Sequence, residues 1–100
     1  MSYANVEMRI VQWSTARRII QNSTAEAQLL KAVSEMGELA DATIKNDRDE
    51  IVDAVGDVMV CLVNYCAIQD IDLVSCMDAA YDQIKNRKGK LMANGVFVKE

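Results

Sequence analysis

Apolar residues recur along this chain at steps of three and four, the spacing of one helix face, in four successive blocks. The first runs from about Tyr3 to about Gln21. Val6, Ile10, Trp13, Ala16 and Ile20 form its stripe, and Arg9, Arg17 and Arg18 lie mostly off it. Asn22-Ser23-Thr24 interrupts the pattern. Ser23 and Glu26 stand at capping-box spacing, in which hydroxyl and carboxylate satisfy the free amides of a helix start. A second helix is therefore predicted from about Thr24 to about Lys45, with Leu29, Leu30, Val33, Met36, Leu39 and Ala40 on its apolar side. After the break at Lys45-Asn46-Asp47, Asp47 and Glu50 repeat the cap spacing, and a third helix starts near Arg48. Its first turns are acidic. From Val58 to Ile68 it is apolar on every side, as expected of a helix enclosed by others, from the same chain or another. Asp72 caps a fourth helix to about Lys88, with Leu73, Cys76, Met77, Ala80 and Ile84 inward and Gly89 as its stop. In the tail, Lys90 to Glu100, a second break falls at Gly95, and Val96-Phe97-Val98 is expected to dock in extended form.

There is no proline, glycine occurs four times, and strict apolar–polar alternation is confined to the tail. The pattern predicts an all-α fold of antiparallel helices in one domain spanning residues 1–100. Half the residues are apolar, which supplies a core, but a helical chain of this length often completes its core by pairing with copies of itself. A homodimer or homotetramer is expected. The net charge of −4, with no long basic run, argues against binding a nucleic acid polymer. The longest uncharged run, Val58 to Gln69, is too short to cross a bilayer and too far along the chain for a secretion signal, so no membrane partner is expected. A cytoplasmic setting, in a bacterium or a phage-infected host, follows as the expectation. Cys61, Cys66 and Cys76 fit no metal spacing, and an odd number argues against a disulfide framework; they read as small buried apolar residues.

Charge is concentrated between Glu35 and Asp57. Glu35, Glu38 and Asp41 share one face of the second helix, with Lys31 one turn earlier. Glu50, Asp53 and Asp57 share one face of the third. Within each row the acids repel one another, and a divalent cation reverses the sign of that interaction. Two antiparallel helices joined by a short loop set the rows opposite each other. An all-oxygen donor set suits magnesium or manganese. Di-iron bundles need histidine, of which there is none, and calcium loops need a spacing and a glycine absent here. Magnesium keeps waters and is completed by substrate phosphates, which points to a phosphate ester or anhydride. On periodicity alone a solvated helix face is the simpler account of these acids. Asp57 weighs against it, because a carboxylate at the edge of an apolar segment needs compensation. Lys85, Arg87, Lys88 and Lys90 suit either the negative end of a helix or a phosphate clamp. Asn64, in an apolar helix, needs partners; an interhelix hydrogen bond is the simpler account, and reading a base or sugar the functional one. Core packing is the simpler account of Trp13, and stacking on a base the alternative.

Lys31 to Asp41 (KAVSEMGELAD), the Asp53-Ala-Val-Gly-Asp57 segment leading into the apolar helix, and the closing YDQIKNRKGKLMANGVFVKE together resemble the MazG-like nucleotide pyrophosphohydrolases, the close in particular the small phage-type members. The similarity runs from about Trp13 to the end. It implies an all-α NTP pyrophosphatase fold in which dimers or tetramers build four-helix bundles. It also implies hydrolysis of a (d)NTP to the monophosphate and pyrophosphate, with Mg2+, or Mn2+ in its place. Glu35 and Glu38 stand at the family's Glu-x-x-Glu, as metal ligands and as candidates to take a proton from water. The family's second pair is usually Glu-x-x-Asp. Aligning on Gly56-Asp57 puts Ala54 where the glutamate belongs; aligning on Glu50-x-x-Asp53 satisfies the pattern and leaves Asp57 extra. Asp57 is retained as a ligand, with Asp53 one turn before it and Glu50 in support. The basic segment that meets the phosphates in relatives resembles Asn86-Arg87-Lys88, so Lys31, Asn64, Lys85, Arg87 and Lys88 are the substrate-binding candidates. A non-enzymatic helical module binding through the Val58–Ile68 face is the competing class, and a relative acting on dUTP, dCTP or a phosphoribosyl nucleotide is the nearer alternative.

Overall fold

A computed structural model describes all 100 residues. In chain order it comprises α1 (Tyr3–Ala16), α2 (Ile19–Asn22), α3 (Ala25–Lys45), α4 (Arg48–Ile68), α5 (Leu73–Ile84), β1 (Gly89–Leu91) and β2 (Phe97–Lys99). The all-α expectation holds, the two strands being a small antiparallel ribbon at the end. The fold is organised by α3 and α4, which turn back on each other through Asn46-Asp47. Asn46 takes the left-handed conformation (φ 56°), and the Asp47 amide bonds the carbonyl of Ala42 at 3.1 Å, closing α3 as Asp47 opens α4. The predicted caps at Asp47 and Asp72 form: each carboxylate accepts a backbone N–H three residues on, from Glu50 and Ser75. The predicted Ser23–Glu26 box does not. Thr24 caps α3 instead, and Ser23 accepts a hydrogen bond from Gln28.

The face that α3 buries is not the one its bulkiest side chains mark. Ala25, Ala32 and Ala42 are buried, with Glu35 and Leu39 between them, while Leu29, Leu30, Val33 and Met36 are exposed. On α4 the buried positions include Ala54, Val58 and Cys61. Both sets follow steps of three and four, so two narrow seams meet and small side chains permit close approach. The bulky residues project from the other side, where one chain has nothing to cover them. Only 11 of 100 residues are buried, and Val55, Met59 and Met77 are also exposed.

α4 is the central helix. It has the length and apolarity of a membrane span, but α1, α3 and α5 pack around it, and Val58, Cys61, Val63, Asn64 and Cys66 are enclosed. Much of the segment that a binding module would have used thus lies inside the chain. The predicted first helix is broken at Arg17-Arg18. Arg18 adopts φ 63°, its amide bonds Thr15, and the Gln21 side chain reaches back to the same carbonyl. No glycine or proline announces this break; side-chain amides stabilise it by satisfying carbonyls that a continued helix would have used. Cys61 and Cys66 are buried as expected, but Cys76 is exposed, because α5 rests lightly on α4. Burial pushes the Cys66 thiol up to about 11.

Two buried polar groups tie α1 to the rest. Ser14, fully buried, donates to Asn64 Oδ1 at 2.7 Å. Glu7 accepts the backbone N–H groups of Leu73 and Val74, so a carboxylate from α1 caps α5. α5 ends at Ile84 rather than near Lys88, and Gly89 is not its stop. Gly89 begins β1, where the Phe97 ring lies over its Cα and a β-carbon would collide with it. Gly95, at φ 86°, makes the turn. The tail is extended as predicted, but it pairs with itself and docks on no helix.

Replacing Glu7 by alanine leaves the first amides of α5 without their charged acceptor. The expected loss is about 2–3 kcal/mol in urea denaturation, with Glu7→Gln losing less.

Candidate active site

The acids of α3 and α4 face each other across the hairpin. Near its turn, Glu38, Asp41, Lys45, Glu50 and Asp53 line an open cleft of about 330 Å³. One turn further from the loop, Glu35 is only 13% exposed at its side chain, and its Oε2 is buried with no hydrogen-bond partner. Glu38 stands one turn from Glu35 on the same face, and its tendency to hydrogen-bond Glu35, the Glu35 charge, desolvation and Asp57 together raise its carboxyl above the ordinary range, against the opposing field of Lys31. Asp57 is raised as well, first by burial and then by the charges of Asp53 and Glu35. Two raised carboxyls beside a buried, unpartnered carboxylate oxygen form an electrostatically unsatisfied cluster.

This donor set fits a hard divalent cation. All its atoms are carboxylate oxygens, one lacks any partner, and the neighbouring groups resist losing their protons. No three of them converge on a common point in the chain as folded. Glu35, Glu38 and Asp57 would be the inner holders, with Asp53 beside Asp57 and Glu50 across the cleft from Glu38.

Lys31 lies at the inner end of the cluster, its Nζ 3.6 Å from Glu35 Oε1. It also lines a second, open cavity of about 480 Å³, where Arg17, Arg18, Asn22, Gln28 and Asn64 border a largely apolar surface that includes Trp13 and Cys61. There Asn64 is buried and oriented: Oδ1 accepts from Ser14, and Nδ2 donates to Gln28 Oε1 at 3.3 Å. The expected interhelix hydrogen bond is therefore present, and it lies at a cavity wall. Trp13 departs from core packing. It is 49% exposed and carries the Arg17 guanidinium 4.1 Å from its ring centre. A third hollow, between Trp13, Arg9, Val60 and Asp57, reaches the acids from the other side.

The structure thus brings together Glu35, Glu38, Glu50, Asp53, Asp57, Lys31 and Asn64. It does not bring in Lys85, Arg87 and Lys88. Lys85 pairs with Asp82 at 3.0 Å, and α5 and the ribbon make no contact with α3. Sequence reasoning passed over Ser14, Gln28 and the turned-in Arg17-Arg18 pair. For Gln28 a signal was present, since it falls in register with Ala25, Ala32 and Glu35 on the buried seam.

A carboxyl raised in the folded state stabilises the fold below its unfolded value near 4 and loses that contribution as pH rises through its folded value. Through Asp57 and Glu38, metal-free protein should therefore lose stability as pH rises from about 4 toward 7. Asp72 works in the opposite sense, since bonds from the Ser75 backbone and hydroxyl hold its carboxyl low. Comparison with Asp57→Asn isolates the effect: the variant should melt higher than wild type at pH 7, by a margin that shrinks toward pH 4. Millimolar magnesium should raise the wild-type melting temperature more than that of the variant.

Comparison with known proteins identifies the family. Residues 23–92, which include both acidic rows, match the MazG nucleotide pyrophosphohydrolase domain. An uncharacterized 18.2 kDa protein from the rep-hol intergenic region of Haemophilus phage HP1 is 37% identical over 65 residues, 65% of this chain. The chain spans 40% of the length of that phage protein. No solved structure matches. With the domain match covering the helical hairpin and its facing acids, the chain belongs to the MazG nucleotide pyrophosphohydrolase family.

Proposed function

We propose that this protein hydrolyses a nucleoside triphosphate to the monophosphate and pyrophosphate with magnesium bound among Glu35, Glu38 and Asp57. The observation that carries this reading is the buried, unpartnered Oε2 of Glu35 between two carboxyls held above their ordinary range. Magnesium at such a site supplies charge neutralisation on the phosphates and lowers the proton affinity of a bound water. The protein's own groups do the rest. Glu35 and Glu38 orient the attacking water, and Glu38, with its raised affinity for a proton and its access to the cleft, accepts the proton. Asp53 and Glu50 hold the far side of the acidic cleft. Lys31 meets the triphosphate, and the largely apolar cavity behind it takes the nucleoside, with Asn64 offering its fixed amide edge and Trp13 a ring face.

Lys85, Arg87 and Lys88 are assigned to the departing pyrophosphate. In one chain they stand apart from the acids, so this role requires a second copy. The exposed apolar faces of α3 and α4, on a chain with so few buried residues, support such self-association. A homodimer or homotetramer is the proposed active form.

Two experiments test this reading. Wild type incubated with a panel of nucleoside triphosphates and magnesium should release pyrophosphate from at least one. Glu35→Gln and Glu38→Gln should each lower that rate at least about 100-fold, and equal rates in wild type and Glu38→Gln would remove the assignment. In sedimentation velocity, wild type should run as a dimer or larger, and Met59→Glu should shift it toward monomer.

A further inference from the structure

Lys31 carries its charge between the acidic cluster, through Glu35, and the cavity bounded by Asn64 and Gln28. Its side chain is 62% exposed and mobile by construction, a charged head on a four-carbon stem. Its contact with Glu35 is loose: 3.6 Å is well beyond the roughly 2.8 Å of a tight charge-assisted hydrogen bond. It also leaves the other Glu35 oxygen unpartnered. The ammonium nevertheless acts on the whole cluster, since it opposes the upward shifts of Glu38, Asp57 and Cys61. Lys31 therefore neutralises the acids without filling the place between them.

A divalent cation brought against Glu35 would lie within a few ångströms of this ammonium, and the two would repel. The lysine has a second place to go, because the cavity on its other side is open. We propose that Lys31 is an exchangeable counter-ion: it balances the carboxylates in the metal-free protein and moves onto the triphosphate when metal and nucleotide arrive together. The inference rests on the phosphohydrolase reading above and deepens it, by making lysine and metal competitors for the same acids and the phosphate the agent that relieves the competition.

Such competition has a signed consequence. Removing the charge of Lys31 strengthens binding of the bare metal and weakens binding of the metal with its phosphate. A purely structural lysine would weaken both on removal, and a simple phosphate ligand would leave the bare metal unaffected. An exposed pair one turn apart contributes little to folding, so the variants are expected to fold.

The test is binding of Mn2+ alone, followed by spin resonance or calorimetry, to the full chain as wild type, Lys31→Gln and Lys31→Arg. It is repeated with Mn2+ and inorganic tripolyphosphate, which needs no knowledge of the base. Lys31→Gln should bind Mn2+ alone about three- to tenfold more tightly and the Mn2+–tripolyphosphate complex at least about tenfold more weakly, while Lys31→Arg stays near wild type in both. Unchanged or weaker Mn2+ binding by Lys31→Gln overturns the counter-ion role and, if wild type still releases pyrophosphate, leaves the proposed activity standing. Failure of wild type to bind Mn2+ at all overturns both.

Discussion

Alanine at positions 25, 32 and 42 of α3, buried with Ala54 of α4, lets two 21-residue helices pack closely along most of their length. Glu35 and Asp57 are carried on the same two helices at the margin of that seam. Close packing strips water from them, and their mutual charge opposes the arrangement. The hairpin can hold these groups because the surrounding apolar contacts are stronger than the local repulsion. The site is thus a strained feature of the main interface rather than an addition to its surface.

The polar chain behind the acids follows from the same constraint. An asparagine in the enclosed half of α4 must find partners, and it finds Ser14 from α1 and Gln28 from α3. These bonds fix three helices relative to one another and orient the Asn64 amide. The break at Arg17-Arg18 swings the chain over the open end of this network, so that two arginines border a cavity instead of continuing a helix into solvent. Asn64 and Gln28, whose side chains take part in this network, also line the cavity.

What the single chain leaves open is as informative as what it buries. The large side chains of α3 project outward, and the terminal ribbon, with its lysines and Phe97, rests on nothing. A chain that encloses a serine and an asparagine while leaving Leu30 69% exposed has placed its polar order inside and its apolar surplus at the rim. That distribution is the ground for the self-association proposed above.

Helix spacing, the caps at Asp47 and Asp72, the two acidic rows and the family resemblance were legible in the sequence, because each depends on local periodicity or local hydrogen bonding. The amino-acid pattern by itself therefore determined an all-α chain with carboxylates on two facing helices. Tertiary structure decided which stripe of α3 would be interior, that Trp13 would be exposed under Arg17, that Cys76 would face water, and that Lys85, Arg87 and Lys88 would stand away from the acids. Those outcomes turn on how closely helix axes approach and on what is available to cover each face. Side-chain volume summed across two helices sets the first, and the second is a property of the whole fold that no window of sequence contains.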